Sequence, residues 1–186
     1  MKVLALLAAL VAAQVPEAPS PTRGCLSSRT KGVVVECRQA LEDDALSTNR
    51  RATLLRVMAL RLASENRWRE VADTYGELIS VAPEDARPHR DLGEVLLRGL
   101  GRPEDALAAL RESLRLDPDD AETHGLMAAT LNTLGRPGDA MRAYEDALRI
   151  DPGYFAARPA ARKSFDASEQ GLKWPEDVPV EEHERN

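Results

Sequence analysis

The chain has 186 residues, a formal charge of −6 and a pI near 5.2, with 43 % apolar residues but only 4 % aromatic. That length suits one compact domain, and the acidic balance argues against nucleic acid as the main partner. A core short of aromatics must be built from Ala, Leu, Val and Ile, which favours closely packed helices over a sandwich or a barrel.

Residues 1–13 have the parts of a secretory signal peptide. Met1-Lys2 supplies a positive start, Val3 to Val11 is an unbroken apolar run, and Val11-Ala12-Ala13 offers small residues for cleavage after Ala13. A membrane anchor is the alternative, but the apolar stretch stops at Pro16 and a spanning helix needs about 20 residues. A lipoprotein reading through Cys25 is weaker, because Cys25 lies far from the apolar run and follows Arg23 at a place that wants a small or apolar residue. Arginine outnumbers lysine by 21 to 4, which reads as a GC-rich, bacterial genome. The protein is therefore expected to be exported, periplasmic or secreted.

Residues 14–32 form an N-terminal segment carrying Cys25; the second cysteine is Cys37. An even count in an oxidising compartment suggests a disulfide. It would close a loop of about a dozen residues, worth roughly 3 kcal/mol in the chain-entropy model. Two buried thiols are the other reading; with no His or third Cys nearby, the pair does not look like a metal site.

A repeat dominates the rest of the chain. Pro83, Pro118 and Pro152 each end an apolar helical run, 35 and then 34 residues apart. The same spacing relates Val71, Ala106 and Ala140, then Tyr75, Leu110 and Tyr144, then Ile79, Leu114 and Leu148. Earlier in each unit the order reverses: Met58, Leu92 and Met127 are 34 and then 35 apart, as are Ala59, Gly93 and Ala128, and Leu62, Leu96 and Leu131. The reversal locates one inserted residue in the turn Arg98-Gly99-Leu100-Gly101 of the second unit, where neither helix register should have to shift. The units are residues 52–85, 86–120 and 121–154. Upstream, Val33, Cys37, Ala40 and Leu41 share the 4-3-1 spacing of Ala140, Tyr144, Ala147 and Leu148. Residues 33–46 thus read as a lone second helix, half a repeat, with Cys37 in the slot of Tyr144. Residues 155–170 read as a capping helix, because Arg162 replaces the small residue that a packed partner would demand. Residues 171–186 read as a disordered acidic tail.

These slots resemble the tetratricopeptide repeat family. The resemblance rests on Leu92-Gly93, on the small residues Ala59, Ala128, Ala106 and Ala140, on the aromatics Tyr75 and Tyr144, and on Asp117-Pro118 and Asp151-Pro152. Pro103 and Pro137 depart from it, standing where Trp68 supplies the usual aromatic. The resemblance implies an all-α fold, a right-handed solenoid of antiparallel helix pairs whose first helices line a concave groove. That groove would be lined by Arg56, Leu60, Arg87, Arg90, Glu94, Arg98 and Asn132, with Thr53, Ser64, Leu97, Glu122, Gly125, Ala129 and Thr133 beside them. Four arginines against one glutamate in its first two units make that half basic, suited to an acidic or extended segment; the alternative is that they pair with Asp91 and Glu94. Some relatives grip a terminal carboxylate with Lys, Asn and Arg. Here Leu60, Asp91, Glu122 and Leu126 occupy most of those positions, so binding of that kind is not expected.

No nucleophile motif, phosphate loop or metal-ligand spacing stands out. His89 and His124 share one packing slot, and the carboxylates sit at helix starts. The expected function is a non-catalytic interaction scaffold or adaptor of the bacterial cell envelope, without cofactor, small-molecule substrate, nucleic acid or membrane span, monomeric on its own and holding another protein. The alternative is a permanent structural subunit of an envelope or secretion assembly.

Overall fold

The structure is a computed structural model and describes residues 21–26 and 32–157. The expected signal peptide, the capping helix beyond residue 157 and the acidic tail lie outside the described residues. Among the described residues the chain is helical throughout, running as α1 (Pro21–Leu26), α2 (Val33–Leu41), α3 (Thr48–Ser64), α4 (Trp68–Val81) and α5 (Ala86–Glu94). A π-helical turn at Val95–Gly99 extends α5, and α6 (Pro103–Leu116), α7 (Ala121–Thr133), α8 (Pro137–Ile150) and α9 (Tyr154–Ala157) complete the order. Each helix packs mainly on its sequence neighbours, α3 on α4, α5 on α6 and α7 on α8, which stack in turn. This is the expected α-solenoid of helix pairs.

Small side chains set the approach within each pair. Ala59, Ala106 and Ala128 are fully buried, and Ala140 and Val71 are 1 % exposed. A Cβ on Gly93 would lie 2.7 Å from Leu110 Cγ, so only glycine admits that contact. Between these points Leu54, Leu55, Met58, Leu62, Leu78, Leu110 and Tyr144 are buried to 1 % or less, each worth about 1.5–3 kcal/mol of transfer free energy.

The turn between paired helices repeats in atomic detail. Positive φ occurs at Gly32 (116°), Asn66 (57°), Gly101 (61°) and Gly135 (69°), spaced 34, 35 and 34 residues apart. After it, the backbone N–H groups of Arg67, Arg102 and Arg136 donate to the carbonyls of Leu62, Leu96 and Leu131 at 3.0, 2.8 and 2.9 Å. Such turns close orphan carbonyls at a helix end and favour Gly or Asn. The middle loop of the three holds the extra residue. It is absorbed in the helix rather than in the loop beyond it: Leu100 N–H reaches back to Val95 O at 3.1 Å, an i to i+5 bond. The insertion thus widens the last helical turn, not the loop, and the positive-φ residue still falls where it falls in the other units, so the packed registers on either side keep their phase.

The phase of Gly32 also corrects the register of the N-terminal half-repeat. It places Val34 with Trp68, Pro103 and Pro137, and Cys37 with Val71, Ala106 and Ala140, four residues from the alignment that puts Cys37 with Tyr144. The 4-3-1 pattern is ambiguous because one helical face offers it twice. The second helix here stops at Leu41, well before the positions matching Val81, Leu116 and Ile150. The same phase aligns α1 with residues 55–60 of α3, so Cys25 matches Ala59. Cys25 and Cys37 are both fully buried, with Cα atoms 4.6 Å apart and sulfurs at bonding distance.

Candidate functional site

Among the first helices α1 contacts α3 and α5 contacts α7, and this is the face that the repeat resemblance makes the groove. Their outward slots carry the groove residues expected from sequence. Each of the four arginines there has a partner within the chain. Arg56 Nη2 lies 2.5 Å from Asp85 Oδ2, and Arg90 Nη1 lies 3.0 Å from Asp120 Oδ2. Arg87 pairs with Asp85 at 3.1 Å, and Arg98 with Glu94 at 2.6 Å. Arg90 also meets Asp91 at 3.1 Å and Glu122 at 3.6 Å. The half of the groove that reads as basic by composition is therefore electrically compensated.

Two of these pairs obey a rule. Asp85 and Asp120 are the N-caps of α5 and α7, and each uses Oδ1 for its own helix, accepting from Arg87 N at 3.1 Å and Glu122 N at 3.0 Å. Their Oδ2 atoms receive the arginine of the preceding first helix. One carboxylate thus caps a helix, where an anion is favoured, and ties adjacent repeats together. Burial pushes the Asp85 carboxyl up, but hydrogen bonds from Arg87 and the charge of Arg56 hold it below the usual range. Burial likewise opposes, and Thr123 and Arg90 outweigh it, at Asp120. Asp91 goes the other way: burial and the nearby carboxylates of Glu122 and Asp85 raise it despite Arg90. Burial, with Asp91 and Glu94 close by, pushes the Tyr75 phenol up to about 12.

The third junction breaks the rule. In phase with Arg56 and Arg90 stands Gly125, and in phase with Asp85 and Asp120 stands Tyr154. A Cβ at Gly125 would fall 1.7 Å from the Tyr154 hydroxyl oxygen, and Tyr154 is 3 % exposed. The ion pair is replaced by a phenol seated in the space of a missing side chain.

Other polar groups of this face are exposed and bond back to their own helices. Thr53, Ser64 and Thr133 hydroxyls donate to the carbonyls of Asn49, Arg61 and Ala129 at 2.8, 2.7 and 3.0 Å. Asn132 is half-buried. Leu60 is the contrast, 68 % exposed.

A family model for the tetratricopeptide repeat matches residues 56–121 and again 96–155, together more than half of the chain. The chain belongs to the tetratricopeptide repeat family. No curated protein matches it by sequence. Among solved structures it is similar in fold to MamA, at 16 % identity and a TM-score of 0.63 over 75 % of this chain and 77 % of that one. It is also similar to the TPR2B domain of yeast Sti1 in its pHsp70 complex, with 19 % identity, a TM-score of 0.59 and coverage of 64 % and 96 %. A third is the first TPR of Spaghetti (RPAP3) bound to the HSP90 peptide SRMEEVD, at 18 % identity and a TM-score of 0.58, covering 67 % and 98 %.

Within this tetratricopeptide repeat chain two histidines, His89 and His124, fall among the described residues. His89 is half-buried, and burial lowers its pKa. His124 Nε2 donates to Pro118 O at 2.9 Å, and its buried Nδ1 has no hydrogen-bond partner among the described residues. Among the described residues no group of three His, Cys, Asp or Glu is placed to hold a metal ion, and no described helix is long and apolar enough to cross a membrane. What reading by residue type misses is the pairing of Arg56 and Arg90 with caps 29 and 30 residues onward, and the exchange at Gly125. The signal is present in the sequence: both sit on the 34–35-residue phase.

Proposed function

We propose that this tetratricopeptide repeat chain is a non-catalytic scaffold that docks a segment of another protein on its concave face, after export to the bacterial cell envelope. The observation that carries the docking reading is the contrast on that face: a rigid surface whose charges are compensated within the chain, carrying a leucine that is 68 % exposed. One exposed leucine is ordinary by itself, but set among groups already paired within the chain it offers apolar contact on an otherwise compensated face. The yeast Sti1 and Spaghetti domains of the same fold are seen with pHsp70 and an HSP90 peptide, which supports the same use of the fold here. Arg56, Arg87, Arg90, Glu94, Arg98 and Asn132 then frame the partner and hold the arc's shape, and the leucine supplies contact. Export rests on the Lys2 start, the Val3–Val11 run and the Val11-Ala12-Ala13 site, and a Cys25–Cys37 bond fits an oxidising compartment.

The test is affinity capture from the native envelope fraction with the full chain and with two variants, Leu60→Asp on the concave face and Arg111→Glu on α6. The reading expects a partner retained by the wild type and by Arg111→Glu but lost by Leu60→Asp. Equal capture by all three places the contact elsewhere. Constitutive recovery of every variant in one large complex favours a permanent structural subunit. Sequencing the mature N-terminus checks export, with Gln14 or a close neighbour expected and an intact cytoplasmic Met1 contradicting it.

A further inference from the structure

The repeat phase brings a second leucine to the first. Cys25 falls in the buried small-residue slot of Ala59, Gly93 and Ala128, so Leu26 falls in the slot of Leu60, Glu94 and Ala129, one helix further toward the N-terminal end. α1 and α3, which carry the two leucines, touch. Leu26 is 46 % exposed and Leu60 68 %, and the one other large hydrophobic of comparable exposure among the described residues is Val35, at 59 %. The later positions in the row are Glu94, tied to Arg98 at 2.6 Å, and Ala129. The concave face therefore runs from an apolar end to a charge-compensated middle. At its far end the station of Gly125 is already filled by Tyr154.

We propose that Leu26 and Leu60 form the anchoring subsite of the groove, and that its occupant is an uncharged, extended segment of a partner protein with two apolar side chains three residues apart. The inference rests on the docking reading above and specifies it. Two observations choose the occupant. First, the arginines flanking Leu60 on α3 are already engaged, Arg56 with Asp85 and Arg61 with Glu65, so among the described residues a charged segment finds little uncompensated charge there. Second, adjacent packed helices lie about 8–10 Å apart, and a polyproline-type segment repeats its face every three residues, or about 9 Å. Two apolar side chains at i and i+3 match two leucines one helix apart. A second copy of this chain fits poorly, because two leucines present far less surface than the roughly 800 Å² per partner of a stable dimer.

The probe is an end-blocked, proline-rich, uncharged ten-residue peptide with leucines three positions apart, compared with the same peptide carrying serine at both. Binding to the full mature chain is tracked by backbone amide NMR shifts. Shifts should centre on α1 and α3, and both the serine peptide and the Leu60→Asp protein should bind about tenfold or more weakly. Leu26→Ser serves as the second variant should Leu60→Asp perturb the fold, which its amide spectrum reports directly. No binding of the leucine peptide, equal binding by the variants, or shifts centred on another face overturns the proposal. A Leu60-dependent dimer in sedimentation would assign the pair to a second copy instead and equally overturn it. If Leu60→Asp still captures the envelope partner, the scaffold reading survives and this subsite does not.

Discussion

The first two junctions of the solenoid and the third solve one problem by different chemistry. At the first two, Arg56 and Arg90 reach the N-cap carboxylates Asp85 and Asp120, joining repeats through charge at sites that stay partly wet. At the third, Gly125 removes the side chain and Tyr154 lies in its place, 3 % exposed. The internal junctions must remain part of a groove, so polar groups suit them. At the third junction an aromatic plug does the same work by excluding water.

The comparison can be broken most severely at its third member. Gly125→Leu should displace Tyr154 and cost about 3 kcal/mol, combining overpacking with lost aromatic burial. In a thermal melt that is a fall of roughly 10 °C or more. An unchanged melting temperature would mean that Tyr154 is not seated there. The exchange sharpens the point: adding Tyr154→Asp to Gly125→Arg should recover stability relative to Gly125→Arg alone, as a double-mutant cycle reports.

The ionic junctions should be softer. Arg90→Ala takes the guanidinium from Asp120, whose side chain is 17 % exposed but still accepts from Thr123 and the Glu122 N–H, at about 1 kcal/mol. Arg56→Ala should cost less, about 0.5 kcal/mol, since the Arg56 side chain is 40 % exposed. Chemical denaturation midpoints rank the two, and a larger loss at Arg56 would contradict the ordering by burial.

Acid should also distinguish the junctions. Asp85 and Asp120 have folded pKa values held below the ordinary carboxylate value. Their contribution is therefore complete above the unfolded pKa near about 3.9 and is lost as pH falls through the lower folded values. Urea midpoints between pH 6 and pH 3 should fall less in Asp120→Asn than in the wild type, whereas Tyr154→Phe should leave the acid limb unaltered. The smallest effect belongs to Arg111→Glu, exposed on α6 and expected within about 0.5 kcal/mol of the wild type.

Much of this architecture is legible as phase. Ala59, Gly93 and Ala128, or Val71, Ala106 and Ala140, recur because two helices can approach closely only where side chains are small. That constraint writes itself into sequence at fixed intervals. The N-terminal half-repeat is easily misaligned because it lacks the Asp-Pro ending, and a 4-3-1 apolar pattern fits a helical face in more than one register. Gly32 settles it, being in phase with Asn66, Gly101 and Gly135, but a positive φ leaves little trace beyond residue type. The groove is harder still. Arg56 and Arg90 look like free binding charges when counted by slot, and only the fold carries Asp85 and Asp120 to them. Leu26 escapes notice for the related reason that its slot depends on the register of that half-repeat.

The claim on which the functional account turns is that the concave face of the first helices is the docking face, with its charges already compensated. Hydrogen exchange on the full chain, with and without the partner recovered from the envelope fraction, tests it most directly. The account predicts added protection in the first helices α1, α3 and α5, persisting with little change between about 50 and 300 mM salt, since few uncompensated charges take part. Protection confined to α4, α6 and α8, or lost steeply as salt rises, would contradict it.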